Sequence, residues 1–350
     1  MPYNLGMTEI TLALPFALPP PELAPDLIRA LQAPALAALL SRHSDLQYNI
    51  FDNNSRVLPH EAWLAHTLGL ASAATQADTG APLATACMAG CGLGAQAAQG
   101  HWFMLQPAHV QISRTHMLLT DLNSLQISEA DSRGLYDLAR PYFEEAGKPL
   151  LHGAPGLWFM RADDWAGLNT ASPDATTTQS MTDWLPEGEH ARAFRRLQNE
   201  VQMLWHEHPI NEARQARGLQ PINSCWLWAG AGPVAPSGSV AIGDGAPWMA
   251  ALATSTQPSA VQLIAQPGTA MLAGLIAPAQ VGDWADWLAR MQQLEQAWFA
   301  PLLAALKDGR IDSVKLVLSH RHGWTTVTST ALAQRKFWRK PTLNSLLKQS

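Results

Sequence analysis

The sequence predicts an α/β protein: a largely parallel sheet flanked by helices, with an α+β part inserted into it. Three observations carry this. Across residues 223–330, runs of strand length alternate with helix-patterned segments, as in strands joined by covering helices. At His101 the pattern shifts from small-residue helical spacing to short extended runs, and it shifts back at Asn223. Apolar residues make up 47% and charged ones only 15% of 350 residues, enough apolar material for a substantial core and long enough for two parts.

Taken in order, residues 27–40 carry apolar side chains at helical spacing, and 59–70 form a second helical pattern with Pro59 at its start. Residues 85–100 join a turn at Gly90, Gly92 and Gly94 to a small-residue helix. The G-x-G-x-G spacing departs from the dinucleotide fingerprint, and no acidic residue follows at the required distance. Extended runs are expected at 101–105 and 109–113. Ser128 is placed to N-cap a helix reaching Tyr142, with Asp131 at the third position. A strand is expected at 156–161, a loop at 167–188, and a strongly periodic helix at 189–206 that Pro209 closes. A buried strand at 223–228 runs into the loop 229–233. Beyond it, strands are expected at 261–265, 270–276, 313–319 and 325–330, and helices at 246–255 and 284–307. No fixed-period repeat is present.

Net charge is −5, and Lys and Arg are thinly spread except at Arg335, Lys336, Arg339 and Lys340, a cluster that reads as solvated surface. Nucleic-acid binding, which needs a dense basic face, is not expected. Cys87, Cys91 and Cys225 neither pair completely nor form a metal knuckle, which fits a reducing compartment. The apolar run 12–18 is broken by Pro15 and lacks a basic lead, so no signal peptide is expected. No stretch has the length and purity of a membrane helix. The expectation is a cytoplasmic protein with no membrane or nucleic-acid partner.

One block carries a family resemblance: His208-Pro209-Ile210-Asn211, then Arg214, Gly218, Pro221, Asn223 and Trp226-Leu227-Trp228, followed by the glycine loop. It resembles the H-P-V-N and N-x-I-W-L-W-G segments of archaeal-type, 2,3-bisphosphoglycerate-independent phosphoglycerate mutases, of the alkaline phosphatase superfamily. Leu185-Pro186-Glu187-Gly188-Glu189, Gln126-Ile127-Ser128-Glu129-Ala130, Gly156 with Arg161, and the segment 284–306 look like further landmarks in the same order. The resemblance implies an alkaline-phosphatase-like core from residues 1–107 and 223–350 with 108–222 inserted. It makes Arg161, His208, Asn211 and Arg214 the candidate ligand-binding residues.

It also implies two divalent metals held by Asp and His at strand ends, activating a serine nucleophile. The corresponding positions depart from this. The first strand runs Leu12-Ala13-Leu14-Pro15-Phe16 without a carboxylate, and the nucleophile segment reads Pro59-His60-Glu61-Ala62-Trp63-Leu64-Ala65-His66 without a serine. The late metal motif keeps only Asp283, and the last one resembles Ser319-His320 with His322 beyond. His66, Asp283 and His320 are the remaining catalytic candidates, and Asp283, His320 and His322 the remaining metal candidates.

His320 and His322 lie two apart at a strand end and can face one way, as paired ligands do, or sit as surface or capping residues. His206-Glu207-His208 is not the H-E-x-x-H motif. His60, Glu61, His66 and the stretch from Asp78 to Gly80 are a second candidate acid–base set. The 14 Trp are mostly expected in the core. The leading expectation is a mutase-like protein that has lost phosphoryl transfer and acts on an unknown protein or small-molecule partner, with no cofactor. The alternatives are an active mutase or phosphotransferase with a rebuilt Mn or Zn site, and a small-molecule binding module built around Gly90–Gly94 and Gly230–Gly232.

Overall fold

In the computed structural model, which describes residues 8–52, 54–71, 79–112, 117–177 and 179–347, the chain divides into two units. The first comprises the described parts of residues 1–53, 239–245 and 253–350, and the second those of 54–238 and 246–252. The strands in chain order are β1 (Glu9–Leu14), β2 (Asp45–Ile50), β3 (Trp102–Ala108), β4 (Val110–Ile112), β5 (Met117–Leu119), β6 (Leu150–Ala154), β7 (Leu157–Arg161), β8 (Ser224–Ala231), β9 (Ala241–Gly243), β10 (Thr269–Leu272), β11 (Ser313–His320) and β12 (Gly323–Thr330).

The first unit is built on a six-stranded sheet in the order β2-β12-β11-β1-β10-β9. The four strands β11, β1, β10 and β9 are parallel, and β12 and β2 are added antiparallel. The largely parallel, helix-flanked sheet expected from the sequence is therefore present. In β1, Ile10, Leu12, Ala13 and Leu14 are all buried, the near-continuous apolar run of a strand covered on both faces. β2, Asp-Leu-Gln-Tyr-Asn-Ile, is a mostly exposed edge strand, which is why an apolar pattern did not reveal it. Leu36 and Leu39, with Trp287, Phe299, Leu302 and Leu306, pack on the sheet residues Leu12, Leu14 and Leu316.

Several expected elements differ. The helix expected at 27–40 is two, Ala24–Ala30 and Pro34–Ser41, because a residue preceding proline, here Ala33, is pushed out of the helical region. The segment 261–265 is not a strand but part of the helix Ala260–Ala265, started by a reciprocal capping box between Ser259 and Gln262. The strand at 270–276 stops at Leu272 and gives way to a 3₁₀ turn and the helix Ile276–Val281. The long helix at 284–307 is interrupted by a π turn, Glu295–Phe299, just ahead of Pro301, which has no N–H to continue the ladder. The buried Glu295 carboxylate accepts the Ala35 and Leu36 amides (2.7 and 3.0 Å), capping the helix Pro34–Ser41 across the core.

The second unit holds the antiparallel sheet β6-β7-β3-β8 and the two-stranded β4-β5 ribbon. The helices Glu129–Glu145 and Ala191–Trp205 supply Leu135, Phe143, Phe194 and Trp205 to a core shared with Phe103 and Trp158. Ser128 caps its helix through the Asp131 amide at 3.0 Å, as expected. Pro209 does not close the preceding helix. It opens the next one, Pro209–Ala216, where its fixed φ suits the first turn. β3 and β8, beside the expected boundaries near 107 and 223, pair with each other along their length, and both lie within this second unit together with residues 108–222. Gly90 closes the helix Ala84–Gly90 directly against the helix Pro247–Leu252, where a Cβ would lie 1.7 Å from the Ala251 carbonyl oxygen. Its role is therefore close backbone packing. No helix of the described residues is long and apolar enough to cross a membrane.

Candidate functional site

In the second unit, the helix Pro59–Thr67 begins with a proline in its first turn, and the Glu61 carboxylate folds back to accept the Leu58 amide at 2.9 Å. His60 and Glu61 are thereby turned inward and are both buried. His66, six residues on from His60, lies about 240° further round the helix and is exposed. Asp174 is supplied by the short helix Pro173–Thr176, whose start is fixed by Ser172 Oγ accepting the Ala175 amide. The Gly80 amide, bonded to the Thr170 carbonyl at 2.7 Å, ties the segment before Asp174 in place.

One ligating atom from each of His60, Glu61 and Asp174 lies within 4.8 Å of the others, the one such group of three found among the described residues. Burial holds the His60 imidazole down to about 3, so the ring is neutral at neutral pH and one of its two nitrogens offers a lone pair. An imidazole with two carboxylates is a donor set suited to Zn²⁺ or Mn²⁺. The candidate acid–base set is thus assembled in part: His60 and Glu61 meet Asp174, His66 faces away, and Asp78 lies outside the described residues. Asp174 stands in a stretch expected to be loop, although Ser-Pro-Asp is itself a helix-start signal.

The residues that carried the resemblance are occupied structurally. Asn211 donates to the Trp205 and Ile222 carbonyls, both at 2.8 Å, and accepts the Ile222 amide at 2.7 Å, clamping the two ends of the 205–222 segment. Fully buried Arg214 donates to the carbonyls of Gln220 and Leu125 and to Asp131. Burial pushes the Asp131 carboxyl up, but its hydrogen bonds from Arg217, Arg214 and Ser128 outweigh this and hold it below its usual value. His208 caps its helix by accepting the Ile210 amide at 3.3 Å. Arg161 forks onto Asp163, whose carboxyl drops to about 2 through that pair and the His101 amide. Of the second glycine segment, the Gly232 carbonyl accepts Thr85 Oγ1 at 2.8 Å, from the first turn of the helix Ala84–Gly90.

In the first unit, ligand sites of open parallel sheets lie at the carboxyl ends of the strands. Here β1 leads to Phe16 and β9 to Asp244, both non-glycine residues with positive φ (57° and 56°). Strain of this kind concentrates at functional edges. Asp244, Gly274 and Leu272 from the ends of β9 and β10 line a cleft of about 170 Å³ with Arg290, Gln293 and Trp298. A Cβ at Gly274 would come within 3.3 Å of Asp244 Oδ2 and 3.4 Å of Arg290 Nη1, so the glycine keeps open the space between a carboxylate and a guanidinium. Sequence reasoning missed this trio, since 46 residues separate Asp244 from Arg290 and no local pattern links them.

Asp283 is exposed and N-caps the helix Trp284–Leu294 by accepting the Asp286 amide at 3.0 Å. His320 ends β11 and His322 follows in the turn, with ring centroids 6.2 Å apart. His320 Nδ1 accepts the His322 amide at 3.3 Å, which places the ring proton of the neutral imidazole on Nε2 and engages its lone pair with the main chain. Burial, and then His322, lower His320 to about 4.

No family model matches the chain. It is similar to a probable 2,3-bisphosphoglycerate-independent phosphoglycerate mutase of Geobacter sulfurreducens, 27% identical over 130 residues, which is 36% of this chain and 32% of that protein. It is also similar to a 2,3-bisphosphoglycerate-independent phosphoglycerate mutase of Methanothrix thermoacetophila, 42% identical over 57 residues, 16% of this chain and 14% of that one. The matched segments thus span a third or less of these relatives. Among solved structures, the cofactor-independent phosphoglycerate mutase of Thermoplasma acidophilum aligns over 98% of this chain and 95% of its own at 13% identity, with a TM-score of 0.45. A protein of Pyrococcus horikoshii aligns over 93% and 87% at 13% identity, with a TM-score of 0.47. The chain resembles the cofactor-independent phosphoglycerate mutases at low identity.

Proposed function

We propose, with that resemblance as premise, that this chain is a phosphoglycerate-mutase-like protein that has lost metal-dependent phosphoryl transfer and acts as a non-catalytic binding or regulatory protein. The observation that supports this is what the carboxyl ends of the parallel strands carry. Two-metal phosphoryl transfer draws carboxylates and imidazoles onto ions about 3.5–4 Å apart, beside an activated hydroxyl. β1 leads instead to Pro15 and Phe16, and β10 to Ala273 and Gly274. Ser319 Oγ, on β11, accepts the Phe16 amide at 3.2 Å and so braces the main chain. The edge does offer Asp244 and Arg290 beside Trp298, a pairing suited to holding a small polar ligand. The test is conversion of 3-phosphoglycerate to 2-phosphoglycerate with added Mn²⁺ or Zn²⁺, alongside metal analysis of the purified protein. Stoichiometric metal with robust turnover defeats the proposal.

A second reading, a phosphotransferase with a rebuilt metal site, is favoured by the His60–Glu61–Asp174 set. These residues fit one divalent cation, which would supply Lewis-acid polarisation of a phosphoryl oxygen. Under it, His60→Ala and Asp174→Ala each reduce bound metal, measured by mass spectrometry, and abolish whatever turnover the unaltered chain shows.

A further inference from the structure

Residues 313–350 contain seven Lys and Arg and no Asp or Glu, in a chain whose net charge is −5. Four of those cations fall in the hexapeptide Arg335-Lys336-Phe337-Trp338-Arg339-Lys340. This segment follows the short helix Ala331–Gln334 and is held to the protein by its main chain and inner groups. Gln334 Nε2 donates to Ser329 Oγ and to the Ala38 carbonyl, Lys336 Nζ to the His43 carbonyl at 3.0 Å, and Arg42 Nε to the Arg339 carbonyl at 3.2 Å.

On this anchored frame the largest apolar side chains point outward. Phe337 is 82% and Trp338 67% exposed, with ring centroids 5.2 Å apart in an edge-to-face pair, and Leu332 just before them is 73% exposed. Arg335, Arg339 and Lys340 are exposed beside them, and none of the four cations of the hexapeptide makes an ion pair among the described residues. Adjacent aromatics left in water on a pinned segment mark an interaction surface.

We propose that this surface docks the protein peripherally on an anionic phospholipid bilayer. The cations suit lipid phosphates and a negative surface potential, while Phe, Trp and Leu suit the boundary between headgroups and acyl chains. A bilayer is favoured over nucleic acid because the apolar set includes an aliphatic residue and the two rings pack edge-to-face on each other. Single-stranded nucleic acid is gripped instead by spaced aromatic faces along a basic groove. The proposal is independent of the reading of the strand-end cleft.

The full chain, incubated with vesicles of phosphatidylcholine alone or mixed with phosphatidylglycerol and then sedimented, is expected to bind only the mixed vesicles and to be released by salt. Each cation near such a surface is worth about a fivefold change in partitioning, so the triple variant R335Q/R339Q/K340Q is expected to bind about a hundredfold more weakly. F337S/W338S is expected to lose about tenfold or more at unchanged charge. Both variants alter exposed side chains, and an unchanged melting temperature confirms that they fold. The proposal is overturned if the full chain fails to bind mixed vesicles at low salt, if F337S/W338S binds them as well as the unaltered chain, or if single-stranded RNA binds at the same residues and vesicles do not.

Discussion

Replacing Arg214 by Met separates a structural arginine from a ligand-binding one. The Met stem refills the buried apolar path but removes three donated hydrogen bonds, to Gln220 O (3.0 Å), Leu125 O (2.5 Å) and Asp131 Oδ2 (3.1 Å). Leu125 is buried, so its carbonyl is orphaned at a cost of about 1–3 kcal/mol. Gln220 is exposed and its carbonyl can return to water, and Asp131 keeps Arg217 at 3.0 Å. Adding the lost charge pair gives about 3–4 kcal/mol, near the lower end for breaking a buried ion pair from one side. For a unit of this size, at about 2–4 °C per kcal/mol, the melting temperature should fall by about 6–16 °C. Arg214→Lys should rescue little, because the three N–H groups of a lysine radiate from one nitrogen and cannot span acceptors bound by Nε, Nη1 and Nη2 of the guanidinium. Scanning calorimetry reads the shift, and titration with phosphorylated metabolites reads binding. A variant that melts like the unaltered chain yet loses a phosphorylated ligand would refute the structural assignment.

Glu295→Ala should destabilise the first unit by about 3 kcal/mol, because two charge-assisted bonds to the amides of Ala35 and Leu36 are lost together. Denaturant unfolding checks this, and a loss below about 1 kcal/mol contradicts it. Acid should weaken the fold through His60. Its folded value near 3 lies below the unfolded value near 6.5, so stability is full above about pH 6.5 and declines as pH falls toward 3, by up to about 1.4 kcal/mol per pH unit. His60→Gln should flatten that slope, and parallel slopes in the two proteins would count against it. Cys87 and Cys225 are buried with thiols pushed up, Cys225 to about 12, so a thiol reagent at mildly alkaline pH should label at most Cys91 until the protein is denatured. Rapid labelling of two or three thiols in the native protein would show that the burial is wrong.

Much of the fold was legible because its cues are local. Ser128 and Asp131 announce a helix start by spacing alone, and β11 announces itself as an apolar run bounded by turns. Where competing local signals met, apolar content misled: at 261–265 the capping box of Ser259 and Gln262 outweighed a short apolar run, and at 27–40 Pro34 split one pattern into two helices. The polar edge strand β2 gave no apolar signal, since an edge exposed to water has no need to be apolar.

By itself the sequence determined the fold class, the helix start at Ser128 and the basic cluster of Arg335, Lys336, Arg339 and Lys340. Only the tertiary structure decided what the side chains do. Asn211 and Arg214 look like ligand-binding residues in a motif, and folding spends their hydrogen bonds on main-chain carbonyls and Asp131. Asp174 joins His60 and Glu61, and Asp244 faces Arg290, across separations of 46 to 114 residues. The physical reason is range. Caps, turns and periodicity act over a few residues, whereas a binding site is made by whichever strand ends and helix faces the packed core brings together.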